Sequence, residues 1–204
     1  MDIPLMNICF FITILSFLAG CTRYQPQNGD IIFQTSRSNQ SRAVQAATES
    51  RYSHMGIVYL MNGRWFVFEA SNTVKLTPLN EWIRRGRDGA YVAKRLKQSD
   101  SLLSDSALSK LKNAGKAFDG RPYDLYFEWN DKRIYCSELV WKIYKNGIGI
   151  EIGTLKKLGD FDLSSPEVKR KLKERYGDAV PLDEKVISPE SMFNSPLLET
   201  VFSH

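Results

Sequence analysis

The chain has 204 residues, 43% hydrophobic and 25% charged, and its 28 lysines and arginines against 23 aspartates and glutamates leave a formal charge of +5. Such a composition fits one globular domain that can bury a real core, and it excludes collagen-like, disordered and disulfide-stapled classes. Three cysteines (Cys9, Cys21 and Cys136) without a CxxC pair build neither a disulfide framework nor a four-ligand zinc site, so no metal and no cofactor are expected.

In chain order, residues 8–19 are almost entirely apolar, too short a run to span a bilayer comfortably but suited to the core of a secretory signal. The run stops at Leu18-Ala19-Gly20-Cys21, which resembles the lipobox of bacterial lipoproteins, where the signal is cut before a cysteine that becomes lipidated. The expected organisation is a signal peptide over residues 1–20, a tether over 21–28 and a catalytic domain over 29–204. Cys21 is then a lipid anchor and the domain is a membrane-anchored lipoprotein of the cell envelope, outside the cytoplasm. A plain signal peptide or an uncleaved anchor would place it on the same side. Cys9 leaves with the signal, and Cys136 remains as the one free thiol.

The first strand is expected at Ile31, Ile32 and Phe33, after the turn at Asn28-Gly29-Asp30, and Ser41 is expected to cap a helix carrying Ala43, Val44, Ala46 and Ala47. Residues 55–60 and 65–69 are β-rich runs joined by Asn62-Gly63, a strong hairpin signal. Further strands are expected over 73–77 and 91–95, with a short helix over 80–85 between them. Ser104 caps a helix with Ala107, Leu108, Leu111, Ala114 and Phe118 on one face, closing near Gly120. A second helix starts at Cys136, buries Leu139, Val140, Ile143 and Tyr144, and stops at Gly147. Ser165-Pro166-Glu167 opens a basic helix with Val168, Leu172 and Tyr176 on its packed side. This order of elements reads as α+β.

The hairpin fixes a geometry. With Asn62-Gly63 as a two-residue turn, Met61 faces Arg64, Gly56 faces Glu69 and His54 faces Ser71, so His54, Gly56 and Glu69 share one face with His54 and Glu69 as diagonal neighbours. A carboxylate beside an imidazole fixes its tautomer and stabilises its protonated form. Cys136 stands at a helix start, where free N–H groups and the macrodipole favour a thiolate, and its backbone N–H can face a developing oxyanion. Whether Cys136 reaches His54 depends on the fold. Taken singly, Cys136 reads first as an inert small core residue, and His54 reads as readily as a satisfied strand histidine and Glu69 as a solvated strand end.

Gly29-Asp30-Ile31-Ile32-Phe33, Tyr52-Ser53-His54-Met55-Gly56-Ile57-Val58, Phe68-Glu69-Ala70 and Tyr135-Cys136-Ser137-Glu138-Leu139-Val140 resemble the YiiX-like, circularly permuted branch of the NlpC papain-like cysteine peptidase superfamily. The resemblance implies a permuted papain-like fold, an antiparallel sheet packed against helices with the His/Glu hairpin ahead of the Cys helix. It implies Cys136 as nucleophile, His54 as base and Glu69 as the orienting residue of a hydrolase working through an acyl-enzyme. Its substrates would be envelope peptides, amides or lipid-like acyl compounds.

Among the aromatic residues before the nucleophile, Tyr123, Tyr126, Phe127 and Trp129 are candidates for an apolar groove wall, and Tyr126 and Tyr135 are the expected substrate contacts. The basic helix over 165–176 reads first as a solvated face and second as a contact for anionic lipid. No nucleotide or nucleic-acid motif is present, and a monomer or small homo-oligomer is expected. The competing class is a lipid-anchored envelope binding protein with a vestigial groove.

Overall fold

The computed structural model describes residues 24–204. Cys9, the expected signal segment and the proposed anchor Cys21 lie outside the described residues. The elements follow as β1 (Ile31–Ser36), α1 (Asn39–Thr48), β2 (His54–Met61), β3 (Arg64–Ala70), β4 (Val74–Pro78), α2 (Leu79–Arg85), β5 (Gly86–Leu96), α3 (Ser99–Leu102), α4 (Asp105–Lys116) and α5 (Cys136–Ile148). Then come β6 (Lys156–Lys157), a 3₁₀ turn at Leu158–Asp160, α6 (Pro166–Tyr176), β7 (Lys185–Val186), α7 (Pro189–Phe193) and β8 (Leu198–Ser203). Six strands form one antiparallel sheet in the order β4-β3-β2-β1-β5-β8, and β6 pairs with β7 separately. This is the α+β architecture expected from the sequence.

Because side chains alternate across a strand, the sheet buries two faces. Ile31, Phe33, Met55, Ile57 and Phe68 pack with Leu139, Val140 and Ile143 of α5 in the main core. Ile32, Val58, Val67 and Ala93 point the other way, under Leu79 and Trp82 of α2. Nearly continuous apolar runs in β1 and β2 follow from this double cover.

The β2–β3 hairpin has the expected register, with Met61 opposite Arg64 and Ile57 opposite Phe68. Asn62 and Gly63 both have positive φ, 49° and 73°, as a type I′ turn requires. Gly56 does more than leave space: a Cβ there would stand 2.5 Å from Val67 Cγ1 and 2.7 Å from the Phe68 carbonyl oxygen. Gly56→Ala is therefore expected to lower stability by about 1–3 kcal/mol through overpacking. A denaturant midpoint equal to wild type would contradict that close approach.

Three helix ends differ from expectation. The α1 cap is Ser38, whose side chain accepts from Ser41 N–H at 3.2 Å, whereas Ser41 lies inside the helix, buried, 2.5 Å from the Ser53 hydroxyl. Helix α5 continues past Gly147 to a left-handed cap at Gly149 (φ 75°), because Gly147 is where α4 crosses closely; a Cβ there would lie 3.1 Å from Leu111 Cα. Helix α4 keeps its Ser104 cap but ends at Lys116. The edge strand β8 has no counterpart among the expected elements. Among the described residues, no helix is long and apolar enough to cross a membrane.

Candidate active site

Strand β2 begins at His54 and β3 ends two residues after Phe68, so the hairpin register sets the imidazole diagonally beside Glu69. His54 Nε2 lies 2.5 Å from Glu69 Oε2. Glu69 is wholly buried and its other oxygen, Oε1, accepts from the Thr77 hydroxyl at 2.6 Å and from the Arg85 guanidinium. Burial opposes the charge on this carboxyl, but hydrogen bonds and charges from His54, Thr77 and Arg85 outweigh it and hold its pKa at about 2. The imidazole also stacks on Trp82, with ring centroids 5.9 Å apart and planes 26° apart, which fixes the ring plane.

The fold brings Cys136 to this pair. Cys136 is the first residue of α5, 3% exposed, and its thiol lies close enough to the His54 ring to raise the ring's pKa. With Nε2 held by Glu69, Nδ1 is the ring nitrogen left for the thiol. Burial pulls the His54 pKa down, yet the hydrogen bonds and charges of Cys136 and Glu69 prevail and raise it to about 9. The backbone N–H of Cys136, at the helix start, has no intrahelical partner and can serve an oxyanion.

A second group beside the thiol is Tyr123. Burial and the adjacent Cys136 keep this phenol protonated well above its ordinary range. Gln40 of α1 donates to the phenol hydroxyl at 3.3 Å, and Arg175 of α6 donates to Gln40 Oε1 at 2.9 Å. The sequence placed Tyr123 only in an aromatic wall and did not reveal Thr77, Arg85, Gln40 or Arg175 at all. These four come from separate elements and carry no local signal.

The remaining expected site residues divide. Tyr135 lines the cavity at Cys136, but it is 2% exposed, its hydroxyl accepts from Ile187 N–H at 3.1 Å and its ring packs edge-on against Phe127. Tyr126 is exposed and packs against Tyr176 and Arg133 away from that cavity. Trp129 packs on Trp141. The basic helix packs Val168, Leu172 and Tyr176 inward, and Lys171 and Lys173 pair with Glu174 at 2.6 Å and Asp178 at 2.5 Å.

A Cys-His-Glu line on an antiparallel sheet, with the histidine strand ahead of the cysteine helix, defines a permuted papain-like fold. The family model described as "permuted papain-like amidase enzyme, YaeF/YiiX, C92 family" matches residues 25–202, and the chain belongs to that family. It is 50% identical over 190 residues to the protein YiiX of Escherichia coli (strain K12), covering 92% of this chain and 93% of that one. It is also similar to the crystal structure of metalloprotein yiiX from Escherichia coli O157:H7, DUF1105, with a TM-score of 0.85, 50% identity and coverage of 89% of this chain and 99% of the other. That relative is described as a metalloprotein, which raises the question of a metal in this chain. Among the described residues no group of three or more His, Cys, Asp or Glu is placed to hold one, and His54 and Glu69 are engaged with each other. The described side chains around His54 and Glu69 therefore supply no donor set for a metal centre.

Proposed function

We propose that the protein is an extracytoplasmic cysteine amidase that cleaves amide bonds through an acyl-enzyme on Cys136. The observation that carries this reading is the convergence of Glu69, His54 and Cys136, the carboxylate 2.5 Å from the ring and the thiol close enough to raise the ring's pKa. His54 takes the thiol proton, and the sulfur attacks the substrate carbonyl while the Cys136 N–H faces the developing oxyanion. The carbon–nitrogen bond then breaks and His54 gives its proton to the leaving amine. Water, deprotonated by the same ring, attacks the thioester and frees the acid. Glu69 keeps the ring in the required tautomer, fixed in turn by Thr77 and Arg85. Membrane attachment through Cys21 is part of the proposal and rests on the lipobox-like residues. An intact triad supports an enzyme over a binding module with a vestigial groove.

The test is purified protein with a panel of amides, comparing wild type with His54→Ala and following Cys136 alkylation by mass spectrometry. Turnover is expected to fall on an alkaline limb near pH 9, where the imidazolium that protonates the leaving amine is lost. Wild-type activity that keeps rising through pH 10, or His54→Ala with wild-type alkylation, would sink the assignment of His54.

A further inference from the structure

The second face of the sheet, opposite α5, is covered by one short helix, α2, which sets Leu79 and Trp82 over Ile32, Val58 and Val67. Beside that helix the face stays open as a broad hollow whose wall is aromatic, formed by Tyr24, Trp65, Tyr91 and Phe202 with Ile83 and His204. Tyr91 and Phe202 stack with ring centroids 5.0 Å apart, and Tyr24 closes on them at 6.0 and 5.6 Å. Trp65, Tyr91 and Phe202 are half-buried, so each keeps an edge at the surface. The charged side chains of the hollow are Arg64, Arg84 and Glu81; both arginines are exposed, and neither has an ion pair among the described residues. Arg84 also lines the cleft beside His54, so the hollow adjoins the catalytic site.

The length of chain between this hollow and Cys21 says what covers it. Tyr24 is 8% exposed and fixed: its hydroxyl donates to Asp30 Oδ2 at 2.7 Å, and Arg95 Nε donates to Asp30 Oδ1 at 2.7 Å. Only Thr22 and Arg23 stand between that ring and Cys21. Three residue steps reach at most about 10–11 Å, even fully extended. On the reading that Cys21 is lipidated, on which this inference rests, residue 21 sits where acyl chains meet headgroups, and the headgroup layer on one side of a bilayer is about 5–7 Å deep. Tyr24 then lies within about 5 Å of the outer edge of that layer. The domain is too closely tied to stand off from the bilayer, and the face that carries Tyr24 is turned towards it.

We propose that this aromatic hollow docks on an anionic phospholipid surface, with Trp65, Tyr91 and Phe202 at headgroup level and Arg64 and Arg84 on lipid phosphates. Indole and phenol rings suit that depth because each has an apolar body and a polar tip, and a guanidinium takes phosphate oxygens two at a time. The lipid on Cys21 supplies attachment, and the docked face supplies orientation. Because Arg84 belongs to both hollow and cleft, docking holds the His54 side of the catalytic site at the membrane surface.

The test uses the full chain as expressed, with the mass of the Cys21 peptide read first, reconstituted into vesicles of phosphatidylcholine and phosphatidylglycerol whose acyl chains are brominated near the headgroups. Bromine quenches an indole only at near contact, and of the four tryptophans Trp82 is wholly buried while Trp129 and Trp141 pack on each other, away from this hollow. Contact at Trp65 is expected to remove up to about a quarter of the emission, a loss that Trp65→Phe abolishes. Arg64→Gln/Arg84→Gln should shift the balance of docked and undocked domain by about thirtyfold, from about 1 kcal/mol for each cation at an anionic surface, and quenching should fall accordingly. Vesicles of phosphatidylcholine alone should lower it in the same way. Protein that floats with the vesicles but shows no quenching overturns the docking and leaves the Cys21 anchor standing; hydrogen exchange at 198–203 that then slows as protein is added at fixed lipid assigns the face to a second copy of the chain. Quenching that persists in Trp65→Phe puts another face on the bilayer, and equal quenching in neutral and anionic vesicles removes the arginines from the contact; either overturns the proposal. An unmodified Cys21 in protein that does not float overturns both the anchor and the docking.

Discussion

Cys136→Ala is expected to lower amide turnover by at least about 10⁴-fold, because the loss of a covalent nucleophile leaves only binding and oxyanion contacts to act on the substrate. The substitution is small and conserves the fold. Cys136 is buried at the first position of α5, where alanine is an excellent helix former, and the helix is held mainly by Leu139, Val140 and Ile143 below it. A stability change within about 1 kcal/mol is expected from the loss of one sulfur. The readout therefore separates chemistry from folding: thermal unfolding near that of wild type, turnover gone, and no alkylated peptide containing residue 136. Cys136→Ser tests a finer point. A hydroxyl has nearly the same shape but is a far weaker nucleophile at this pair, so activity should stay close to the alanine level. Turnover within tenfold of wild type in either variant would move the reaction to another residue.

The parts of this site that the sequence made legible are those linked by a local rule. Asn62-Gly63 dictates a two-residue turn, the turn dictates register, and register puts His54 beside Glu69, observed at 2.5 Å. The approach of Cys136 to His54 follows no such rule. It arises because α5 packs across one face of β2 and β3 with its first residue level with the start of β2, a tertiary arrangement that only resemblance to a family anticipated. Errors at helix ends have the same origin. Ser38 and Ser41 are both competent caps, and what removes Ser41 is its contact with Ser53, the residue before His54. Gly147 and Gly149 are both competent stops, and the close crossing of α4 assigns Gly147 to packing. The support of Glu69 was invisible because Thr77 and Arg85 come from β4 and α2, which reach the carboxylate only after the sheet has formed.

That support gives the second large effect. Glu69→Gln conserves shape and removes the charge that holds the imidazolium, and amide turnover is expected to fall by about 10²–10⁴-fold with Cys136 still present. The pH dependence carries more information than the rate. In wild type the His54 pKa is raised from 6.5 to about 9, so its contribution to stability is complete below pH 6.5 and fades as pH rises towards 9. Glu69 is lowered from 4.5 to about 2, so its contribution is complete above pH 4.5 and is lost as pH falls towards 2. Removing the carboxylate should erase the acid-side loss between pH 4.5 and 2 and move the alkaline limb of turnover below pH 9, since the Cys136 contact alone remains to raise the imidazole. Arg85→Gln should do less. The guanidinium is partly exposed and touches Glu69 rather than His54, so its loss weakens the positioning of the carboxylate while leaving the charge beside the ring. If Arg85→Gln shifts the alkaline limb as far as Glu69→Gln does, the guanidinium would have to act on the imidazole by a route other than Glu69. If Glu69→Gln leaves the limb at pH 9, the carboxylate does not set the protonation of His54.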